Sequence, residues 1–146
     1  MKKTDPPVIV EELYDTPVQD VWNAITVHNE MVKWYFDMIP EFKPEVGFET
    51  LFNVENEGRV FPHRWKILNV TPLKTISYSW KFDNYDGDGY VTFDLFEEND
   101  KTKLRLTCTI TEDFDDSIPE FKRESCVGGW EYFIKQRLKE YLDSKE

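Results

Sequence analysis

"TISYSWKFDNYDGDGYVTFDLFEENDKTKLRLTCTIT", residues 75–111, alternates apolar and polar side chains through three runs separated by short polar stretches. Period two marks a half-buried strand, because successive side chains of an extended backbone point to opposite faces. Ile76, Tyr78, Trp80 and Phe82 share one face of the first run, Val91, Phe93 and Leu95 of the second, and Leu104, Leu106, Cys108 and Ile110 of the third. The other faces carry Ser77, Ser79 and Lys81, then Thr92 and Asp94, then Arg105, Thr107 and Thr109. The separators, 86–89 and Asn99-Asp100, suit hairpin turns. The three runs therefore pair as an antiparallel meander with one face covered.

Upstream the same period continues. "GFETLFNV" (47–54) and "RVFPHRWKILNV" (59–70) meet at the turn Glu57-Gly58, and Pro72-Leu73 leads into the run at 75. Phe61, His63, Trp65 and Ile67 alternate, but the next inward candidate is Val70. That step of three predicts a bulge that bends the strand. "VIVEELY" (8–14) is rich in β-branched residues and reads as a first strand, which makes about six. In "TPVQDVWNAIT" (16–26), Val18, Val21, Trp22 and Ile25 recur at three and four, predicting an amphipathic helix with Thr16 as N-cap and Pro17 in the first turn. "HNEMVKWYF" (28–36) predicts a second short helix, ended before Pro40 and Pro44.

Downstream, Ser117 and Glu120 have the spacing of a capping box, with Pro119 inside the first turn, and predict a helix from about 118 to 142. Val127, Trp130, Ile134, Leu138 and Tyr141 form a stripe that can lie across the covered face of the sheet. Gly128 and Gly129 interrupt it at a cost of about 2 kcal/mol together. Something nearby should need the missing side chains, such as a close approach of the helix to Trp80 or Phe93.

A chain of 146 residues with 40% hydrophobic and 16% aromatic residues suits one domain, 1–146, around one core. A net charge of −11 repels phosphate backbones and anionic membranes, so nucleic acid is not an expected partner. No apolar run approaches the roughly 18 residues of a membrane span, and no signal-peptide core is visible; no membrane insertion and a cytoplasmic location are expected. Cys108 and Cys126 lack CxxC spacing and read as reduced structural residues. "NYDGDG" (84–89) opens like a calcium loop but places Leu95 where glutamate belongs, so it reads as a hairpin turn. "TEDFDDS" (111–117) reads as negative charge complementing a helix start. With two histidines, no multi-histidine metal site can form, and no nucleophile-elbow, Walker, dinucleotide or metalloprotease motif occurs. No catalytic residue, metal or cofactor is assigned.

The order of strand, two helices, long-stranded meander and long final helix resembles the helix-grip fold shared by START-related lipid-transfer domains and the birch pollen allergen. Within that superfamily the chain is similar to the domain family named for the activator of the heat-shock protein 90 ATPase. The carriers are "TPVQDVWNAIT", Trp34, "KPEVGFE" (43–49), "NVTPLKTISYSW" (69–80), "VTFDLFEENDKTKLRLT" (91–107) and Gly129-Trp130. Gly128 and Arg137 depart from the pattern. The resemblance implies an α+β fold in which a curved antiparallel sheet wraps a long C-terminal helix that closes a cavity. It also implies noncatalytic binding of a small apolar or amphipathic molecule there. The aromatic candidates are Trp34, Tyr35, Trp65, Tyr78, Trp80 and Phe93, with His63 or Tyr78 as polar anchor, Gly129 leaving room, and Gly128 with Gly129 at the mouth or ceiling of the cavity or permitting a bend in the helix. These aromatics are equally suited to filling a core, and His63 to a satisfied place at the sheet edge. Two further readings are a co-chaperone-like module of the stress response with a chaperone as partner, and a cyclase- or hydrolase-like enzyme.

Overall fold

The computed structural model describes residues 1–145. Its strands are β1 (Val8–Tyr14), β2 (Glu49–Asn56), β3 (Arg59–Thr71), β4 (Thr75–Phe82), β5 (Asp88–Glu98) and β6 (Lys101–Glu112). They form one antiparallel sheet in the order β1-β6-β5-β4-β3-β2. The meander β2 to β6 follows chain order, and β1 closes the far side by pairing Val8 with Cys108 and Tyr14 with Thr102. Between β1 and β2 lie α1 (Val18–Thr26) and α2 (His28–Trp34). Helical segments Arg123–Glu131, Tyr132–Arg137 and Leu138–Ser144 continue one another as a single C-terminal helix, α3, whose middle portion is a π-helix. This is the helix-grip arrangement, with the curved sheet around the last helix. Among the described residues no helix is long and apolar enough to cross a membrane.

The alternation is obeyed almost residue by residue. Ile76, Tyr78, Val91, Phe93, Leu95, Leu104, Leu106 and Cys108 are buried, as are Val21, Trp22 and Ile25 of α1 and Trp130, Ile134, Leu138 and Leu142 of α3. Each large side chain removed from water in this way contributes about 1.5–3 kcal/mol. The pairing of β3 with β4 slips between Ile67 and Asn69, leaving Leu68 exposed, so the expected bulge lies where Val70 broke the pattern. Glu57 (φ 53°) and Gly58 (φ 79°) both adopt the left-handed region that a tight two-residue hairpin needs. The "NYDGDG" segment is also a turn between strands, with Gly87 at φ 112°.

Two helix starts differ from expectation. The N-cap of α1 is Pro17, not Thr16, and no side chain caps it. Thr16 is drawn inward because its carbonyl accepts a 2.8 Å bond from the buried Thr102 hydroxyl, which leaves the Thr16 hydroxyl buried without a partner among the described residues. Nor do Ser117 and Glu120 form a capping box. Pro119–Phe121 is an isolated turn of 3-10 helix, Lys122 is extended, and α3 begins at Arg123. Ser117 instead bonds Asp115 (2.6 Å), Glu120 turns to Arg59, and Phe121 enters a second apolar cluster with Phe61 and Phe114. These long-range contacts outweigh a local cap bond of roughly 1 kcal/mol.

Candidate functional site

The main core and the small Phe61–Phe114–Phe121 cluster are separate sets of buried residues, with Ile110 packed against both. Five of the residues around this place are small: Gly89 on β5, Cys108 on β6, and Ser125, Cys126 and Gly129 on α3. A cavity of about 150 Å³ lies there, walled by Trp80, Phe82, Ile110, Phe121, Trp130 and Phe133. It adjoins a wider open groove of about 810 Å³ between α3 and the β2–β3 hairpin, where Val54, Glu57, Arg59, His63 and Gly128 contribute. Phe36, Phe82, Glu120, Phe121, Ser125 and Gly129 border both spaces.

A Cβ atom built on Gly128 or Gly129 would meet nothing within 4 Å. Close approach to Trp80 or Phe93 is therefore not what these glycines serve; they face open space, and Gly129 lines the cavity. Immediately after them the helix widens. The Tyr132 N–H is shared between the Gly128 and Gly129 carbonyls, and the π-helical turns begin. The widened segment is pinned from two sides. The buried Tyr14 hydroxyl donates to the Ile134 carbonyl at 2.5 Å, and Arg137 donates to the Lys33 and Trp34 carbonyls at 2.9 and 3.3 Å. Arg137 thus satisfies backbone oxygens that α2 leaves free at its C-terminal end, which accounts for a charged residue at this position.

The outer groove has a polar rim. Arg59 grips Glu120 through two parallel bonds of 2.9 and 3.0 Å, and Asn56 adds a third at 2.6 Å, joining the β2–β3 hairpin to the turn before α3. The Arg59 guanidinium holds the Glu120 carboxyl below its usual range. Deeper in, the His63 ring is buried and its Nδ1–H donates to the Phe61 carbonyl at 2.8 Å. Burial pushes its pKa down to about 4 against that hydrogen bond, so the imidazole is neutral near pH 7.

The expected site residues separate into two groups. Trp80 and Gly129 line the cavity, and His63 lines the outer groove. Trp34, Trp65, Tyr78 and Phe93 border neither space. They form a filled aromatic layer in which Tyr35 stacks on Trp34 at 4.6 Å and on Trp65 at 5.4 Å, and Trp65 lies 4.8 Å from Tyr78. The Trp34 indole N–H is satisfied by the Ala24 carbonyl at 2.7 Å. Tyr35 borders a separate shallow depression beside Phe133. Sequence reasoning missed Phe36, Cys108, Cys126, Phe121, Trp130 and Phe133 as wall residues. The available signal was the coincidence of small side chains on one segment of α3 with small ones on the facing strands.

The two thiols of this wall affect one another. Hydrogen bonding with Cys126 pushes the Cys108 thiol up, and the same contact pulls Cys126 down.

A sequence model of the family described as activator of Hsp90 ATPase homolog 1-like protein matches residues 15–143. Among curated proteins, none matches the sequence. Of solved structures, protein MLL2253 from Mesorhizobium loti is 28% identical, with a TM-score of 0.75 over 97% of this chain and 99% of that one. Protein CV1439 from Chromobacterium violaceum has a TM-score of 0.77 at 18% identity, covering 94% of this chain and 96% of its own. CalU16 from Micromonospora echinospora has a TM-score of 0.62 at 24% identity, covering 94% and 74% respectively.

Proposed function

The chain belongs to the activator of Hsp90 ATPase homolog 1-like family, and from that premise we propose that it binds a small apolar or amphipathic molecule between the curved sheet and α3, without transforming it. The observation that carries this reading is the apolar cavity beside Gly129, opening onto a groove with a charged rim. A largely apolar space of about 150 Å³ is the size that accepts a single benzene-like ring. The ligand is accordingly a ring-bearing amphipath, its ring against the Trp80–Trp130 pair, whose own rings meet edge to face at 5.3 Å, and its polar end directed toward Arg59, Glu120 and His63. Two conjugate requirements are met by the wall: aromatic faces that stack on a ring, and small residues that leave it room.

The test is titration with N-phenyl-1-naphthylamine, a neutral fluorescent probe, into the wild-type protein and into Gly129→Leu. A Cβ at position 129 meets nothing within 4 Å, so the backbone tolerates a side chain there; with folding verified by melting, probe affinity falls at least tenfold. Equal affinity in a folded Gly129→Leu protein overturns the assignment. The family name and the net charge of −11 also support a second reading, docking to a chaperone through an acidic face. A pull-down with purified heat-shock protein 90 that weakens between low and moderate salt supports that reading, and no capture at low salt removes it.

A further inference from the structure

The side chains around the outer groove have already spent their hydrogen-bond donors. Arg59 and Asn56 both donate to Glu120, and the Ser125 hydroxyl donates to the Pro119 carbonyl at 2.9 Å. His63 commits its one N–H to the Phe61 carbonyl; a carbonyl only accepts, so the proton sits on Nδ1 and Nε2 presents a bare lone pair. Each side-chain donor group lining the groove is thus engaged within the chain. The acceptors are not. Glu55 and Glu57 stand exposed at the hairpin, and Nε2 has no partner among the described residues. The polar side-chain atoms sealed from solvent without a partner, among those residues, are the Thr16 hydroxyl and the Trp65 indole N–H, so the unbonded Nε2 is still reachable from the space that His63 lines. We propose that the groove selects ring-bearing ligands with an uncharged donor, a hydroxyl on or next to the ring, whose hydrogen bond His63 Nε2 accepts, and that it rejects carboxylates.

This selectivity rests on the cavity being a binding site and narrows what enters it. The His63 ring lies 5.4 Å from that of Trp80, which walls the cavity, and 5.2 Å from that of Phe36, which borders both spaces. A hydroxyl borne by a ring seated against Trp80 is therefore carried toward the imidazole without a long linker. Charge points the same way. Glu55, Glu57 and Glu120 stand against Arg59 alone, so a ligand carboxylate would meet like charge, and the one guanidinium is already held by Glu120. Burial keeps the imidazole neutral, at a pKa of about 4, so His63 supplies no positive charge in its place. An uncharged donor meets none of these costs.

Equilibrium dialysis of the full chain near neutral pH, against 2-naphthol, 2-methoxynaphthalene and naphthalene-2-carboxylate, tests the selectivity on one ring system. The expected order is 2-naphthol about tenfold tighter than 2-methoxynaphthalene, which keeps the ring and the oxygen but has no donor, with the carboxylate weakest. Tenfold is the scale of one neutral hydrogen bond, and the ratio stays at that scale because water in an open groove can stand in for a missing donor. His63→Phe keeps an aromatic ring and removes the acceptor, so 2-naphthol falls to the affinity of 2-methoxynaphthalene, whose own binding is unchanged. Nitrogen NMR of the labelled wild-type chain gives a readout that does not depend on how that variant folds: the His63 Nε2 signal moves upfield with 2-naphthol and stays in place with 2-methoxynaphthalene. Equal affinity for the naphthol and its methyl ether overturns the selectivity and leaves the binding reading intact. A carboxylate that binds tightest overturns it as well, by placing the ligand's polar end on Arg59. If none of the three binds, the selectivity falls too, and the N-phenyl-1-naphthylamine titration then decides separately whether the cavity binds anything.

Discussion

The hydroxyls of Tyr35 and Tyr78 stand 3.0 Å apart in the packed interior, so each provides the partner that the other needs. Burial raises the pKa of both phenols, and both stay neutral across the physiological range. The pair is therefore a neutral hydrogen bond within the core. Replacing either tyrosine with phenylalanine strands the other hydroxyl and costs about 1–3 kcal/mol, whereas replacing both removes the unpaired group along with the bond. The double variant is thus expected to be less destabilised than the sum of the singles, by about 1 kcal/mol. Denaturant unfolding of all four proteins measures this coupling, and strict additivity would show that the contact contributes nothing.

The strands were legible because a single variable, side-chain parity, governs each of them. Ile76 to Phe82 and Leu104 to Ile110 could be assigned to a buried face without knowing what buried them. Even the bulge after Ile67 was visible as a broken parity. The site was not legible in this way. Whether an aromatic side chain fills a core or lines a gap depends on the separation of helix and sheet at that place. Here the separation is set by Gly89, Cys108, Cys126 and Gly129, which come together only in three dimensions. Trp34, Trp65, Tyr78 and Phe93 were indistinguishable from Trp80 by composition, yet they pack into the aromatic layer around Tyr35, with Trp34 edge-on to Phe133 and Phe93 edge-on to Trp130 of the helix. Cap motifs failed for a related reason: Ser117 and Glu120 have the right spacing, but Arg59 competes for the carboxylate with two bonds from 61 residues away.

Gly128 and Gly129 offer a separation of stability from room. Both are helical, and neither has a neighbour within 4 Å of a built Cβ. Alanine is better than glycine in a helix by about 0.5–1 kcal/mol, largely through the unfolded chain. Gly128→Ala and Gly129→Ala are each expected to raise stability by that amount, read as an upward shift of the denaturation midpoint at constant slope. Destabilisation by either would mean that the helix backbone at this point needs glycine, and would tie the residues to the π-helical widening at Tyr132 instead.

Thr16 gives a prediction whose sign discriminates. As an N-cap its loss would cost about 1 kcal/mol. As found, its carbonyl is occupied by Thr102 while its buried hydroxyl has no partner among the described residues. Valine keeps the shape and discards the orphaned group, so Thr16→Val is expected to leave stability unchanged or raise it by up to about 1 kcal/mol. A thermal scan showing loss of stability would restore the capping role.

His63 makes the fold sensitive to mild acid. Its ring is neutral in the folded chain, with a pKa of about 4, whereas in the unfolded chain it titrates near its ordinary value of 6.5. Above pH 6.5 neither state binds the proton, and the histidine contributes nothing to the pH dependence. As pH falls from 6.5 toward 4 the unfolded state takes up a proton that the folded state refuses, so stability decreases through that window and levels off below it. The limiting loss is about 3 kcal/mol, from roughly 1.4 kcal/mol for each unit of separation. Carboxylates held low by arginines, such as Glu120 beside Arg59 and Asp83 beside Arg64, titrate further into acid and add their own loss there. His63→Asn keeps a donor near the position of Nδ1, and so keeps a bond to the Phe61 carbonyl, but cannot ionise. The slope of unfolding free energy between pH 6.5 and 4.5 should therefore flatten in the variant while persisting in the wild type. If both proteins show the same slope, the imidazole is not the group refusing the proton, and its burial in the groove wall has no electrostatic consequence.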